Sequence, residues 1–155
     1  MTYPELSAEQ FAAWRDFQAM RVQLMSHLGR RLGEHSGLSD AEFTVLVGVS
    51  RSTTVWTRAR ELCQFLGWET SRLSHQITRM EKRELVERRE SPEDARGFEV
   101  RLTKLGRQSI RKASQLQGAE VKHCFADVLN AKQIESLQEI SQALLAHLEN
   151  NHPTH

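Results

Sequence analysis

The run Leu66-Gly67-Trp68-Glu69-Thr70-Ser71-Arg72-Leu73-Ser74-His75-Gln76-Ile77-Thr78-Arg79-Met80-Glu81 reads as a turn followed by a helix with two unlike faces. Over Thr70 to Arg83, Leu73, Ile77 and Met80 fall at i, i+4 and i+7, the repeat of a helix that buries one side. The opposite side carries Ser71, Arg72, Ser74, His75, Thr78 and Arg79. Just upstream, Arg60-Glu61-Leu62-Cys63-Gln64-Phe65-Leu66 reads as a short helix, and Gly67 supplies the turn residue that helix-turn-helix units often carry. Such a helix can enter a DNA major groove, about 12 Å wide, because its hydroxyls and guanidinium groups meet phosphates and base edges. Thr70, Ser71, Arg72, Ser74, His75, Thr78 and Arg79 are therefore candidate DNA contacts, against the plainer alternative of a solvated surface helix.

After Leu85 the period changes from 3.6 to 2. Val86-Glu87-Arg88-Arg89 and Phe98-Glu99-Val100-Arg101-Leu102 alternate apolar with charged residues and predict two strands of a hairpin. The segment between them, Glu90-Ser91-Pro92-Glu93-Asp94-Ala95-Arg96-Gly97, is rich in turn residues and should project as a tip. Arg96 beside Gly97 is placed to enter a minor groove, whose narrow A·T stretches concentrate negative potential. Arg88, on the first strand, joins the candidate contacts with Arg96 and Gly97. Asp94 is read as a brace that orients Arg96 or Arg88.

On either side lie long helices. Phe11, Trp14, Phe17, Met20, Leu24, Met25, Leu28 and Leu32 recur every three or four residues from Ala8. Ser7 with Gln10 predicts a capping box at the start of this helix, and Gly33 or Gly37 can end it. Ser39 with Glu42 opens a second, short helix carrying Phe43, Leu46, Val47 and Val49, and Arg51 to Thr57 is a polar connection. From Thr103, Leu105, Ile110, Leu116, Val121, Phe125 and Val128 fit one helix of about 25 residues ending near Asn130. Ile134, Leu137, Ile140, Leu144, Leu145 and Leu148 mark the last. The fold predicted is mainly α with a small β-hairpin wing (α+β), in the winged helix-turn-helix arrangement.

A length of 155 residues suits one structural unit. The 39% apolar and 26% charged fractions are those of a globular protein. No stretch approaches the roughly 18 apolar residues of a membrane span, and the first ten residues carry Glu5 and Glu9 where a signal peptide would be basic. A cytoplasmic location without membrane association is expected. Cys63 and Cys124 stand far apart, which argues against a disulfide framework or zinc ribbon. Net charge is only +1, but Arg72 to Lys112 holds 12 bases against 7 acids, while the remainder holds 9 against 13. A basic middle between acidic ends suits a polyanion partner.

The run from Leu66 to Glu81, with Leu85-Val86-Glu87-Arg88-Arg89, Asp94-Ala95-Arg96-Gly97 and Leu102-Thr103-Lys104-Leu105-Gly106-Arg107, resembles the MarR family of regulators. The resemblance implies one unit over 1–155, with dimerisation helices at 8–36 and 104–150 and a winged helix-turn-helix lobe at 37–103. It implies a homodimer that holds a pseudo-palindromic double-stranded DNA operator, with Ser71, Arg72, Ser74, His75 and Arg79 on the recognition helix and Arg96 on the wing tip. Many relatives are repressors released by a small aromatic or anionic effector. Trp14 and Phe17, with Phe43 and Val47, are candidates to line such a cleft, with Arg15 or Arg88 as anion partner. The plainer reading makes these aromatics core or dimer interface.

No enzyme motif is present: there is no G-x-G-x-x-G, P-loop, H-E-x-x-H or G-x-S-x-G. No cofactor is expected. His27, His35, His123, His147, His152 and His155 lack close ligand spacing, so no metal site is expected. The rival function is a winged-helix module that binds protein rather than DNA. The polar, basic recognition face argues against it, since protein-binding helices more often expose Leu, Trp or Tyr anchors.

Overall fold

Serine caps open the first two helices, as the sequence predicts. Ser7 Oγ accepts from the Gln10 N–H and the Gln10 side chain accepts from the Ser7 N–H, starting α1 (Ala8–Ser36). Ser39 and Glu42 repeat the arrangement for α2 (Asp40–Ser50). The computed structural model describes residues 3–94 and 97–151. It divides into two compact units, Met1–Gln117 and Gly118–His155. Arg96, a candidate wing contact above, and the tail histidines His152 and His155 lie outside the described residues.

In the first unit, α1 runs to Ser36, one turn beyond Leu32, and closes on Gly37 in the left-handed conformation. α2 is followed by a two-residue strand, β1 (Thr57–Arg58), then α3 (Ala59–Leu66), α4 (Thr70–Lys82), β2 (Val86–Glu90), β3 (Phe98–Leu102) and α5 (Lys104–Val121). The sequence predicts a polar connection from Arg51 to Thr57, because two residues carry no alternation. In the structure Thr57 pairs with Val100 and Arg58 with Glu99, so the hairpin becomes a three-stranded antiparallel sheet of order β1-β3-β2. β2 and β3 pair in the register Val86 to Leu102, Arg88 to Val100 and Glu90 to Phe98.

Leu32, Leu38, Val45, Leu46, Leu62, Leu73, Ile77, Met80, Val86 and Val100 form the centre of one apolar core. It clamps α2, α3 and α4 against the sheet, and this gives the polar side of α4 a fixed base. Trp14, Phe17, Met20 and Met25 on α1 stay exposed (41–56%), an apolar stripe that the unit itself does not cover.

The second unit begins within α5. The single helix predicted to run to about Asn130 is interrupted: Lys122–Ala126 forms one π-helical turn, in which the Asp127 N–H donates to the Lys122 carbonyl at 2.8 Å. Lys122 and Asp127, five residues apart, are brought together by that wider turn, with Nζ 2.5 Å from Oδ1. Asn130 and Gln133 then cap each other's backbone N–H and start α6 (Ala131–Asn151). Ile140, Leu144, Leu145 and Leu148 are 52–59% exposed on α6. No described helix is long and apolar enough to cross a membrane.

Candidate nucleic-acid interface

The turn into α4 is built by Gly67 and Trp68. Gly67 takes φ 62°, and its N–H and that of Trp68 both donate to the Cys63 carbonyl, ending α3. The Trp68 ring packs on the core while the chain re-enters a helix at Thr70. Leu73, Ile77 and Met80 are fully buried, so rotation of α4 about its axis is fixed. Thr70, Ser71, Arg72, His75, Thr78 and Arg79 consequently stand exposed, and Ser74 half-buried. The far end of α4 closes with Glu84 at φ 55°, its N–H on the Glu81 carbonyl and that of Leu85 on the Met80 carbonyl.

Not every polar group on this face is available to a ligand. The Thr78 hydroxyl donates to the Ser74 carbonyl at 3.0 Å. Ser74 Oγ accepts from the Arg88 guanidinium at 3.2 Å, and the same guanidinium lies 3.8 Å over the Phe98 ring. Arg88 thereby joins β2 to α4, so wing and helix present one continuous surface. The guanidinium of Arg72 lies 4.0 Å over the Trp68 ring. Periodicity alone assigns Trp68 no role, although its place four residues before Arg72 is a usable signal.

The wing is stiffened on its other face. Arg89 pairs with the buried Glu99 at 2.6 Å, Arg101 pairs with Glu87 at 2.5 Å, and both guanidinium groups flank Trp56 at 4.4 and 4.6 Å. Near the tip Arg58 pairs with Glu93 at 2.5 Å, and the Gly97 N–H donates to the Asp94 carbonyl at 2.9 Å. At the wing base Thr103 caps α5: its hydroxyl accepts from the Gly106 N–H and donates to the Glu84 carbonyl, and Arg107 donates to the Leu102 carbonyl at 2.7 Å. Gly106 is required there, because a Cβ would sit 1.9 Å from the Leu85 carbonyl oxygen.

Behind α4, Arg83 binds Glu42 and the Gly37 carbonyl. Burial pushes the Glu42 carboxyl up, but the Ser39 backbone N–H, the Arg83 guanidinium and the Ser39 hydroxyl outweigh it and hold the group below the ordinary glutamate range.

Of the six residues considered for an effector cleft, Arg88 is engaged by Ser74 and Phe98 on the wing, and the other five separate into two groups. Phe43 and Val47 pack on the core. Trp14 and Phe17 stack on each other on the exposed side of α1, with centroids 5.9 Å apart, and Arg15 pairs with Asp16 at 3.0 Å. None of the five lines the cleft of about 480 Å³ bounded by Val49, Ser50, Thr54, Glu87, Arg101 and Arg107. Among the described residues no three His, Cys, Asp or Glu side chains converge as a metal would need.

A family model described as the MarR family matches residues 36–97. AbsC, a MarR family transcriptional regulator from Streptomyces coelicolor, is 30% identical, with 97% of this chain and 100% of that chain covered at TM-score 0.86. Another MarR family transcriptional regulator from Streptomyces coelicolor, solved in complex with DNA, is 30% identical over 96% of this chain and 92% of that chain, TM-score 0.86. The transcriptional regulator MOSR from M. tuberculosis, also solved in complex with DNA, is 27% identical over 87% and 96% of the two chains, TM-score 0.65. No curated protein matches the sequence significantly.

Proposed function

This chain belongs to the MarR family of transcriptional regulators, and on that premise we propose that it binds double-stranded DNA sequence-specifically, as a homodimer on an inverted-repeat operator. The observation that carries the proposal is α4: three core residues fix its rotation, and Arg72, His75 and Arg79 stand exposed on the free face beside a braced wing. Two relatives solved with DNA support it. The homodimer rests on the exposed apolar stripes of α1 and of α6, each of which has the size and spacing of a helix-packing surface. Two-fold symmetry places the half-sites about 10 base pairs apart on one face of the duplex.

We further propose that the regulator represses by occupying a promoter and is released by an anionic effector. The cleft beside Arg101 and Arg107 suits that effector, since it sets two guanidinium groups against one carboxylate, Glu87. Effector binding there would compete for Arg101, which holds the outer face of the wing through Glu87 and Trp56. Selection of genomic fragments by the purified protein near physiological salt tests the reading: one enriched inverted repeat is expected, and no enrichment would overturn it.

A further inference from the structure

We propose that Trp68 is a positioning residue for Arg72, and that it sets the sequence discrimination of the recognition helix without touching a base. The inference rests on the DNA-binding reading above. Trp68 packs partly buried against the core, and its backbone N–H is tied to the Cys63 carbonyl at 3.1 Å, so packing and the anchored main chain together make the indole a platform. Arg72 is the third residue of α4, exposed, with its guanidinium 4.0 Å above that platform.

Stacking uses the face of the guanidinium, whereas all five N–H donors lie in its plane. A stacked Arg72 therefore keeps its whole edge for the O6 and N7 acceptors of a guanine. Because the rotamer is chosen before DNA arrives, less side-chain freedom is lost on binding, and the loss is spared only where the base fits the preset edge. The other stacked arginines are engaged differently. Arg88 spends a donor on Ser74, while Arg89 and Arg101 are neutralised by Glu99 and Glu87. Arg51, over Phe65 at 5.3 Å, sits at the C-cap of α2. Among the described residues, no carboxylate pairs with Arg72.

The test uses the full-length protein and duplexes carrying the enriched inverted repeat, its single-base variants and a scrambled control. Trp68→Leu keeps apolar packing on the core but removes the aromatic face, and Trp68→Phe restores a ring. For Trp68→Leu the preference for the repeat over its variant at the base read by Arg72 should fall about two- to fivefold. Affinity for scrambled duplex and the salt slope should be unchanged. Trp68→Phe should recover most of the loss, and Trp68→Leu should add nothing in an Arg72→Ala background. Equal weakening on every duplex, losses that add to those of Arg72→Ala, or no loss while Arg72→Ala weakens binding would each overturn the role of Trp68. Failure of the wild type to prefer any duplex would instead overturn the sequence-specific reading itself.

Discussion

Arg83 donates to both carboxylate oxygens of Glu42 at 2.7 Å, and its other amino group donates to the Gly37 carbonyl at 3.0 Å. One side chain at the end of α4 thus holds the start of α2 and the end of α1. Glu42 is 5% exposed and also accepts from Ser39, so it must keep its charge in a site with little water. Glu42→Gln removes the charge and retains the shape. It should cost about 1.5–3 kcal/mol at pH 7, read from urea denaturation.

The same pair fixes an acid limit. The folded Glu42 carboxyl ionises at lower pH than the unfolded one, so its stabilisation is complete above the ordinary glutamate value, about 4.3, and fades as pH falls through the lower folded value. Stability curves of wild type and Glu42→Gln should converge as pH falls below about 4. Parallel curves down to pH 2 would show that the pair contributes nothing of the kind.

Gly106 and Gly118 both lie in α5 and should respond oppositely to alanine. At Gly106 the new Cβ meets the Leu85 carbonyl oxygen, a backbone atom that cannot move without breaking the link to Thr103. A loss above about 3 kcal/mol is expected. At Gly118 nothing lies within 4 Å, and alanine should gain up to about 1 kcal/mol from helix propensity. Thermal melts of the two variants separate the cases, and equal melting temperatures would refute the packing argument.

Recognition and wing contacts should differ in kind. Arg72→Ala should cost roughly 1–3 kcal/mol on the operator and relax discrimination at one base pair. Arg96→Ala, a prediction from sequence, should weaken binding to all duplexes and reduce the salt slope by about 1. Anisotropy titrations at two salt concentrations check both, and wild-type affinities in the mutants would remove those residues from the interface.

For the dimer, replacing the exposed Leu144 or Leu145 of α6 by Glu places charge on a surface that a second copy should cover. Sedimentation equilibrium should show the wild type at twice 17.8 kDa and the variants shifted toward 17.8 kDa. A wild type that sediments as a monomer would contradict the proposal.

Much of the lobe is legible in the sequence because it obeys short-range rules. The i, i+4, i+7 spacing of Leu73, Ile77 and Met80 names the buried side of α4, and the Ser-x-x-Gln and Ser-x-x-Glu boxes name the starts of α1 and α2. β1 is not legible, since its partner Val100 is remote and two residues make no pattern. The same holds for the joint between Arg88 and Ser74, which exists only because β2 returns beside α4. Gly106 shows in the sequence only as part of a family resemblance; its physical reason, the approach of the Leu85 carbonyl, belongs to the tertiary structure. The π-turn at Lys122–Ala126 hides because its apolar residues still follow a roughly helical period.

The most direct test of the central claim is the ratio of affinities, at one physiological salt concentration, for the enriched inverted repeat and a scrambled duplex of equal length. A sequence-specific regulator should show a ratio of about 10³ or more, with two chains bound per repeat. A ratio near one would contradict the account, leaving α4 and the wing as a basic surface without sequence preference.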